Sequence, residues 1–177
     1  MKINSKKEID YRFPTASKWQ APKAVVDADA GIIIATAEIS ASPEQIFKAF
    51  TTDEVERWWG HPDYYRWTNW KADLKVGGQW SVKVALADGG TNGGGGEFAE
   101  LDEPHKIVMT RRFDEHPLLG KRETTITYRM NPTENGTFLT LHDEGFIGKS
   151  EAAFGNAEHW ERVLGWLETY FKQQNNY

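Results

Sequence analysis

Five histidines, one arginine set among apolar neighbours and a run of tryptophans are the residues here whose types could do chemistry. His61, His105, His116, His142 and His159 show neither the His-Glu-x-x-His spacing of a zinc site nor a His pair at i,i+4. The densest cluster, His142-Asp143-Glu144, falls on a strand, where neighbours point to opposite faces and cannot converge without a bend. His159 reads as packed against a sheet or facing solvent. With no cysteine, thiolate catalysis, thiolate metal sites and disulfides are excluded together. Gly148-Lys149-Ser150 has the end of a phosphate loop, but Asp143 stands where the earlier glycine is required. No serine occupies a Gly-x-Ser-x-Gly elbow. An enzyme would have to draw its acid or base from His142, Glu144, Tyr128 or Glu123, and these form no constellation. No catalytic residue, metal ligand or cofactor is therefore assigned.

Two features suit binding instead. Arg111 shares a strand face with Ile107, Met109 and Phe113, so a concave face would aim its charge into a cavity. There it would hold a ligand carboxylate or phenolate, or pair structurally with Glu123 or Glu144. A bulge would make Arg112 the inward residue. The aromatic cluster Trp58, Trp59, Tyr64, Tyr65, Trp67 and Trp70 reads either as the mouth and wall of a pocket for a flat apolar ligand or as core packing.

The elements that must position these residues follow from periodicity. A β-branched strand spans Gly31 to Ile39. Ser42 then caps a helix, with Pro43 at its first position, Gln45 completing a capping box, and Ile46, Phe47, Ala49 and Phe50 on one stripe. Thr51 to Asp53 open a second short helix carrying Val55, Trp58 and Trp59. From Trp67 the period becomes two. Six further strands are expected: Trp67–Leu74, one through Trp80, Val82, Val84 and Leu86, then Glu97–Leu101, Lys106–Phe113, Glu123–Met130 and Thr137–Asp143. Asp88 to Gly96 reads as a flexible hairpin loop, and Asn131-Pro132 with Asn135-Gly136 as a turn. The chain closes on a long amphipathic helix whose stripe is Ala153, Ala157, Trp160, Leu164, Leu167 and Phe171. Residues 1–28 read as an irregular N-terminal arm pinned by Tyr11, Phe13 and Trp19, and residues 29–177 as one domain.

The ordered motifs resemble the START-like (SRPBCC) superfamily, and within it the group named for the activator of heat-shock protein 90 ATPase homologue. The residues that carry the resemblance begin with Ser42-Pro43-Glu44-Gln45-Ile46-Phe47-Lys48-Ala49-Phe50, Trp58-Trp59 and Val76-Gly77-Gly78-Gln79-Trp80. Gly96-Glu97-Phe98, Glu103-Pro104-His105-Lys106-Ile107-Val108 and Asn135 through Leu141 follow, then His159-Trp160 with Leu164, Leu167 and Phe171. His159 stands where the family usually has glycine. The resemblance implies an α+β helix-grip fold, a seven-stranded antiparallel sheet wrapped around the C-terminal helix, with two short helices after strand one. It also implies a cavity between sheet and helix that takes a small hydrophobic or aromatic molecule, as carrier or sensor.

On unbroken alternation, Trp80, Val82, Val84, Met109, Ile126, Tyr128, Leu139, Leu141, Trp160 and Leu164 line that cavity, with Trp58, Trp59, Tyr64 and Trp67 near its mouth and Arg111 orienting a polar group. The alternatives are an enzyme acting in the same cavity and a protein-interaction module, either co-chaperone-like or a homodimer joined through the arm. A formal charge of -5 argues against a nucleic-acid partner. The longest apolar run, Gly31 to Ala35, is too short for a membrane span, and the N-terminus lacks a secretory apolar stretch, so a cytoplasmic location is expected.

Overall fold

The computed structural model describes residues 21–175. In chain order the elements are β1 (Lys23–Asp27), β2 (Ile32–Ile39), α1 (Pro43–Thr51), α2 (Val55–Trp58), β3 (Gly60–His61), β4 (Tyr65–Ala72), β5 (Gln79–Leu86), β6 (Thr91–Asp102), β7 (Lys106–Phe113), β8 (Thr124–Thr133), β9 (Gly136–Glu144) and α3 (Ser150–Gln174). The strands form one sheet in the order β1-β2-β9-β8-β7-β6-β5-β4-β3, with antiparallel neighbours throughout. α1 and α2 carry the chain from β2 to β3 at the opposite edge, and from there a meander runs back to β9, which pairs with β2. A sheet with one apolar face must cover it, and α3 lies across that face.

The α+β class and the gripped helix agree with expectation, but among the described residues the sheet has nine strands rather than seven. The two additions are the short edges β1 and β3. β1 lies in the segment read as irregular; it is half exposed on an outer edge, so it carries no strong apolar alternation. Tyr11, Phe13 and Trp19 lie outside the described residues.

Local chemistry explains the elements. Ser42 accepts from the Gln45 N–H while the Gln45 side chain accepts from the Ser42 N–H, so α1 starts on the expected capping box. The expected α3 stripe, from Ala153 to Phe171, is buried along its whole length. On its outer side Glu161 accepts the Ala24 N–H at 2.9 Å and anchors β1. Tyr170 donates to Glu54 at 3.0 Å and ties α3 to the residue that opens α2.

Two corrections concern β4 and β6. Strict alternation would put Trp67 and Trp70 on opposite faces, yet both are buried. The register between β4 and β5 slips between Thr68 and Lys71, with Asn69 at φ 54°. Asparagine tolerates this left-handed conformation better than most residues, and the bulge turns both indoles inward. The glycine run is strand, not loop. Gly93 to Gly96 lie inside β6, between β5 and β7, because other strands press against them. A Cβ on Gly96 would sit 1.9 Å from the Thr110 carbonyl oxygen, and one on Gly95 would sit 2.5 Å from that of Trp80. Only glycine fits there. β8 likewise runs past Asn131-Pro132 to Thr133, so the turn falls later than expected.

Candidate functional site

The bulged strand sets the site by stacking indoles. Trp59 and Trp67 lie face to face, with ring centroids 3.9 Å apart and planes 9° from parallel. Trp70 and Trp80 continue the stack at 6.0 and 5.9 Å from Trp67. Trp160 of α3 meets Trp59 edge-on at 5.8 Å. Most of this aromatic wall is interior. Buried indoles usually find a partner for their N–H groups: Trp58 donates to Ala49 O, Trp80 to Thr110 O and Trp160 to Asp143, while Trp70 Nε1 has none among the described residues.

At one end of the helix-sheet interface the packing stops short. A cleft of about 310 Å³ opens there between the first turns of α3, the ends of β4, β5 and β7, and the segment joining β7 to β8. Trp59, Trp67, Val84, Leu86 and Phe113 form its sheet side, and Ala152, Gly155, Asn156 and His159 its helix side. His116, Pro117 and Leu118 form the third wall. That wall is fastened: His116 Nδ1 accepts the N–H groups of Leu118 and Leu119 at 3.2 and 3.1 Å, and Asn92 donates to Glu115 O at 2.7 Å. Arg122 adds a bond of 2.7 Å to Ile147 O, joining the segment to the approach to α3.

Arg111 reaches the cleft from β7 and is 4% exposed. Its Nη2 donates to Asp143 Oδ2 at 2.8 Å, and Trp160 Nε1 donates to the same oxygen at 2.8 Å. The structural partner is thus Asp143, correcting the expected Glu123 or Glu144. Alternation explains this, since Asp143 is the inward member of His142-Asp143-Glu144. Burial pushes the Asp143 carboxyl up from its ordinary value, and Arg111 and the Trp160 N–H oppose that push. Among the described residues Arg111 makes no other hydrogen bond to the protein, and its guanidinium lies 5.5 Å from the ring centroids of both Phe113 and Trp160.

Beside it Tyr65 and His159, distant in sequence, meet. Trp59 Nε1 donates to the Tyr65 hydroxyl at 3.0 Å, and that hydroxyl lies 3.0 Å from His159 Nε2. Burial holds the imidazole neutral, lowering the pKa of His159 to about 3, with the Arg111 charge adding to the effect. Burial raises the Tyr65 phenol beyond its ordinary range. His116 is also lowered, first by burial and then by Arg111.

Of the residues expected to bind ligand, the structure brings Trp59, Trp67, Val84 and Arg111 to the cleft. Trp80, Val82, Met109, Ile126, Tyr128, Leu139, Leu141, Trp160 and Leu164 face inward but pack against one another as core, and Trp58, expected near the mouth, is core as well. Tyr64 lies outside, 52% exposed, with the Arg162 guanidinium 4.7 Å over its ring. Tyr65, one of the aromatic cluster read as a possible pocket wall, also lines the cleft, whereas sequence reasoning missed the places there of His116, Asn156 and His159. The one signal for His159 was its place on the buried flank of α3, a turn before Val163 on that helix. No group of three or more His, Asp or Glu that could hold a metal occurs among the described residues. No helix of the described residues is long and apolar enough to cross a membrane.

Comparison with known proteins fits this architecture. Residues 40–172 match the family model described as Activator of Hsp90 ATPase homolog 1-like protein. No curated protein matches the chain. Among solved structures, a protein from Rhodobacter sphaeroides is similar at 20% identity and a TM-score of 0.73, over 86% of this chain and 99% of that one. A protein from Arthrobacter aurescens is 22% identical with a TM-score of 0.73, over 85% and 91% of the two chains. Protein Ms6760 from Mycobacterium smegmatis is 21% identical with a TM-score of 0.70, over 84% and 94%. At these identities the solved structures speak to the fold. The family match spans most of the chain, and the chain belongs to that family.

Proposed function

We propose that this family member binds a small aromatic molecule in the cleft between the start of α3 and the ends of β4, β5 and β7, as a carrier or sensor. The observation that carries the reading is the cleft itself. It is walled by Trp67, Val84, Leu86 and Phe113, floored by a packed aromatic core, and furnished with a few polar groups at one end. Its volume of about 310 Å³ suits a one- or two-ring ligand. An aromatic ligand burying roughly 200 Å² would gain about 5 kcal/mol at ~25 cal/mol per Å², before ordering costs. Micromolar affinity corresponds to about 8 kcal/mol, so polar contacts at the inner end must add to this apolar gain.

The ligand site differs from the cavity expected from alternation. The middle of the grip is filled by Tyr128, Trp160 and Leu164, so a ligand would enter at the end of α3 rather than along its length. Titration with naphthalene, read by quenching of tryptophan fluorescence, tests the reading. Saturable quenching is expected, weakened when Leu replaces Gly155 in the helix-side wall. Absence of saturable quenching by any one- or two-ring probe would overturn it.

A further inference from the structure

Resting on the cleft reading above, we propose that the ligand is an aromatic anion, held with its phenolate or carboxylate oxygen facing Arg111 and Tyr65. Hydrogen-bond accounting around the cleft points this way. Arg111 offers only donors, and one N–H is spent on Asp143. Both nitrogens of a neutral His116 are then determined. Its Nδ1 already accepts two backbone N–H groups, so the proton sits on Nε2, leaving a donor. The Tyr65 oxygen accepts from Trp59 Nε1, which can only donate. When His159 carries its proton on Nε2, it fills the second lone pair of that oxygen, and the Tyr65 O–H is released to the ligand.

The acceptors on the lining are fewer. Asn92 spends its amide N–H on Glu115 O and its carbonyl on the Gly93 N–H. Asn156 gives its N–H to Ala152 O and keeps one carbonyl oxygen. Glu115, the one carboxylate among the described lining residues, is exposed at the rim.

Charge agrees with this count. Asp143 balances Arg111 within the protein, but it is wholly buried and is not part of the cleft wall. The guanidinium is felt at Tyr65, His116 and His159 on the cleft, and Tyr128 behind them feels both it and the Asp143 carboxylate. Arg162 adds a second positive contribution at Tyr65 and His159. Both histidines are held neutral, and Arg111 rather than its buried partner Asp143 is the charged group that lines the inner end. A phenolate there recovers a charge-assisted hydrogen bond that a neutral ring cannot make.

The probe is 4-nitrophenol, whose phenolate absorbs visible light, titrated with pH in the presence of excess protein, with naphthalene as the neutral companion. The bound phenol is expected to ionise about 1 to 3 pH units below the free one, as for an acid beside an opposite charge. The double variant Arg111→Met with Asp143→Asn is expected to abolish that displacement while naphthalene still quenches. It removes the charge without leaving a buried ion unpaired and keeps an acceptor for Trp160. Tyr65→Phe is expected to reduce the displacement in part. A bound phenol that ionises at or above the free value overturns the proposal, as does binding of naphthalene without nitrophenol; both leave the cleft reading standing. Failure of both probes to quench overturns the two together.

Discussion

Two glycines inside α3 make an internally controlled experiment. Gly155 and Gly165 both lie within the helix, and a Cβ added at either meets no atom within 4 Å. Glycine in a helix interior costs about 1 kcal/mol relative to alanine. Gly155→Ala and Gly165→Ala should therefore each stabilise the fold by about that much, or roughly 2 to 4 °C in Tm for a chain of this size. Ten residues of helix separate the sites by ~15 Å, so the effects should add. Binding separates them. Gly155 lies in the cleft wall and Gly165 does not. A leucine at 155 would occupy space that a ring must fill, and the loss of ~1.4 kcal/mol of contact weakens a ligand tenfold. Urea denaturation gives the stabilities, and fluorescence titration with naphthalene gives the affinities. Gly155→Leu should lose at least tenfold while Gly165→Leu binds as the parent does. Equal affinities of the two leucine variants, or a destabilising Gly155→Ala, would refute the reasoning.

Three further outcomes follow from the same geometry. Arg111→Met alone leaves Asp143 buried without its cation and should cost about 3 to 5 kcal/mol; adding Asp143→Asn should recover much of this in urea denaturation. His159 is protonated below pH 6.5 in the unfolded chain but only near 3 in the fold, so the unfolded state binds more protons between those values. Stability should consequently fall as pH drops through that window, by at most about 1.4 kcal/mol per pH unit from this residue, and His159→Gln should flatten the slope. Gly96→Ala, whose Cβ would lie 1.9 Å from the Thr110 carbonyl oxygen, should destabilise by about 1 to 3 kcal/mol or more, in contrast to Gly155→Ala.

The parts of the fold that local rules govern were legible before any coordinates. The Ser42 capping box, the alternation of β5 and β7, and the α3 stripe each depend on residues within a turn or two of one another. Alternation also placed most of the expected cavity residues on the buried face, with Tyr64 outside it. What alternation cannot tell is whether facing apolar side chains leave a space between them, and here Tyr128, Trp160 and Leu164 close it. The bulge at Asn69 was hidden because one left-handed residue shifts a register without changing composition. Gly93 to Gly96 look like a loop by composition. Their need for glycine lies in Thr110, Trp80 and Phe113 on neighbouring strands.

The polar end of the cleft was the least legible part. Tyr65 and His159 meet across 94 positions of sequence, and Arg111 and Asp143 across 32. Asp143 was set aside because its neighbours face away from it. That same alternation is what aims it inward at Arg111.

The location of binding is the central claim, and indole N–H resonances in a ¹⁵N-labelled sample report on it directly. Trp59 Nε1–H bonds to Tyr65 at the cleft, whereas Trp58 Nε1–H bonds to Ala49 O in the core. On saturation with naphthalene, the Trp59 indole and the Gly155 amide should shift together, with the Trp58 indole and the Gly165 amide unmoved. Shifts confined to residues away from the cleft, or no shift at saturating probe, would contradict the account.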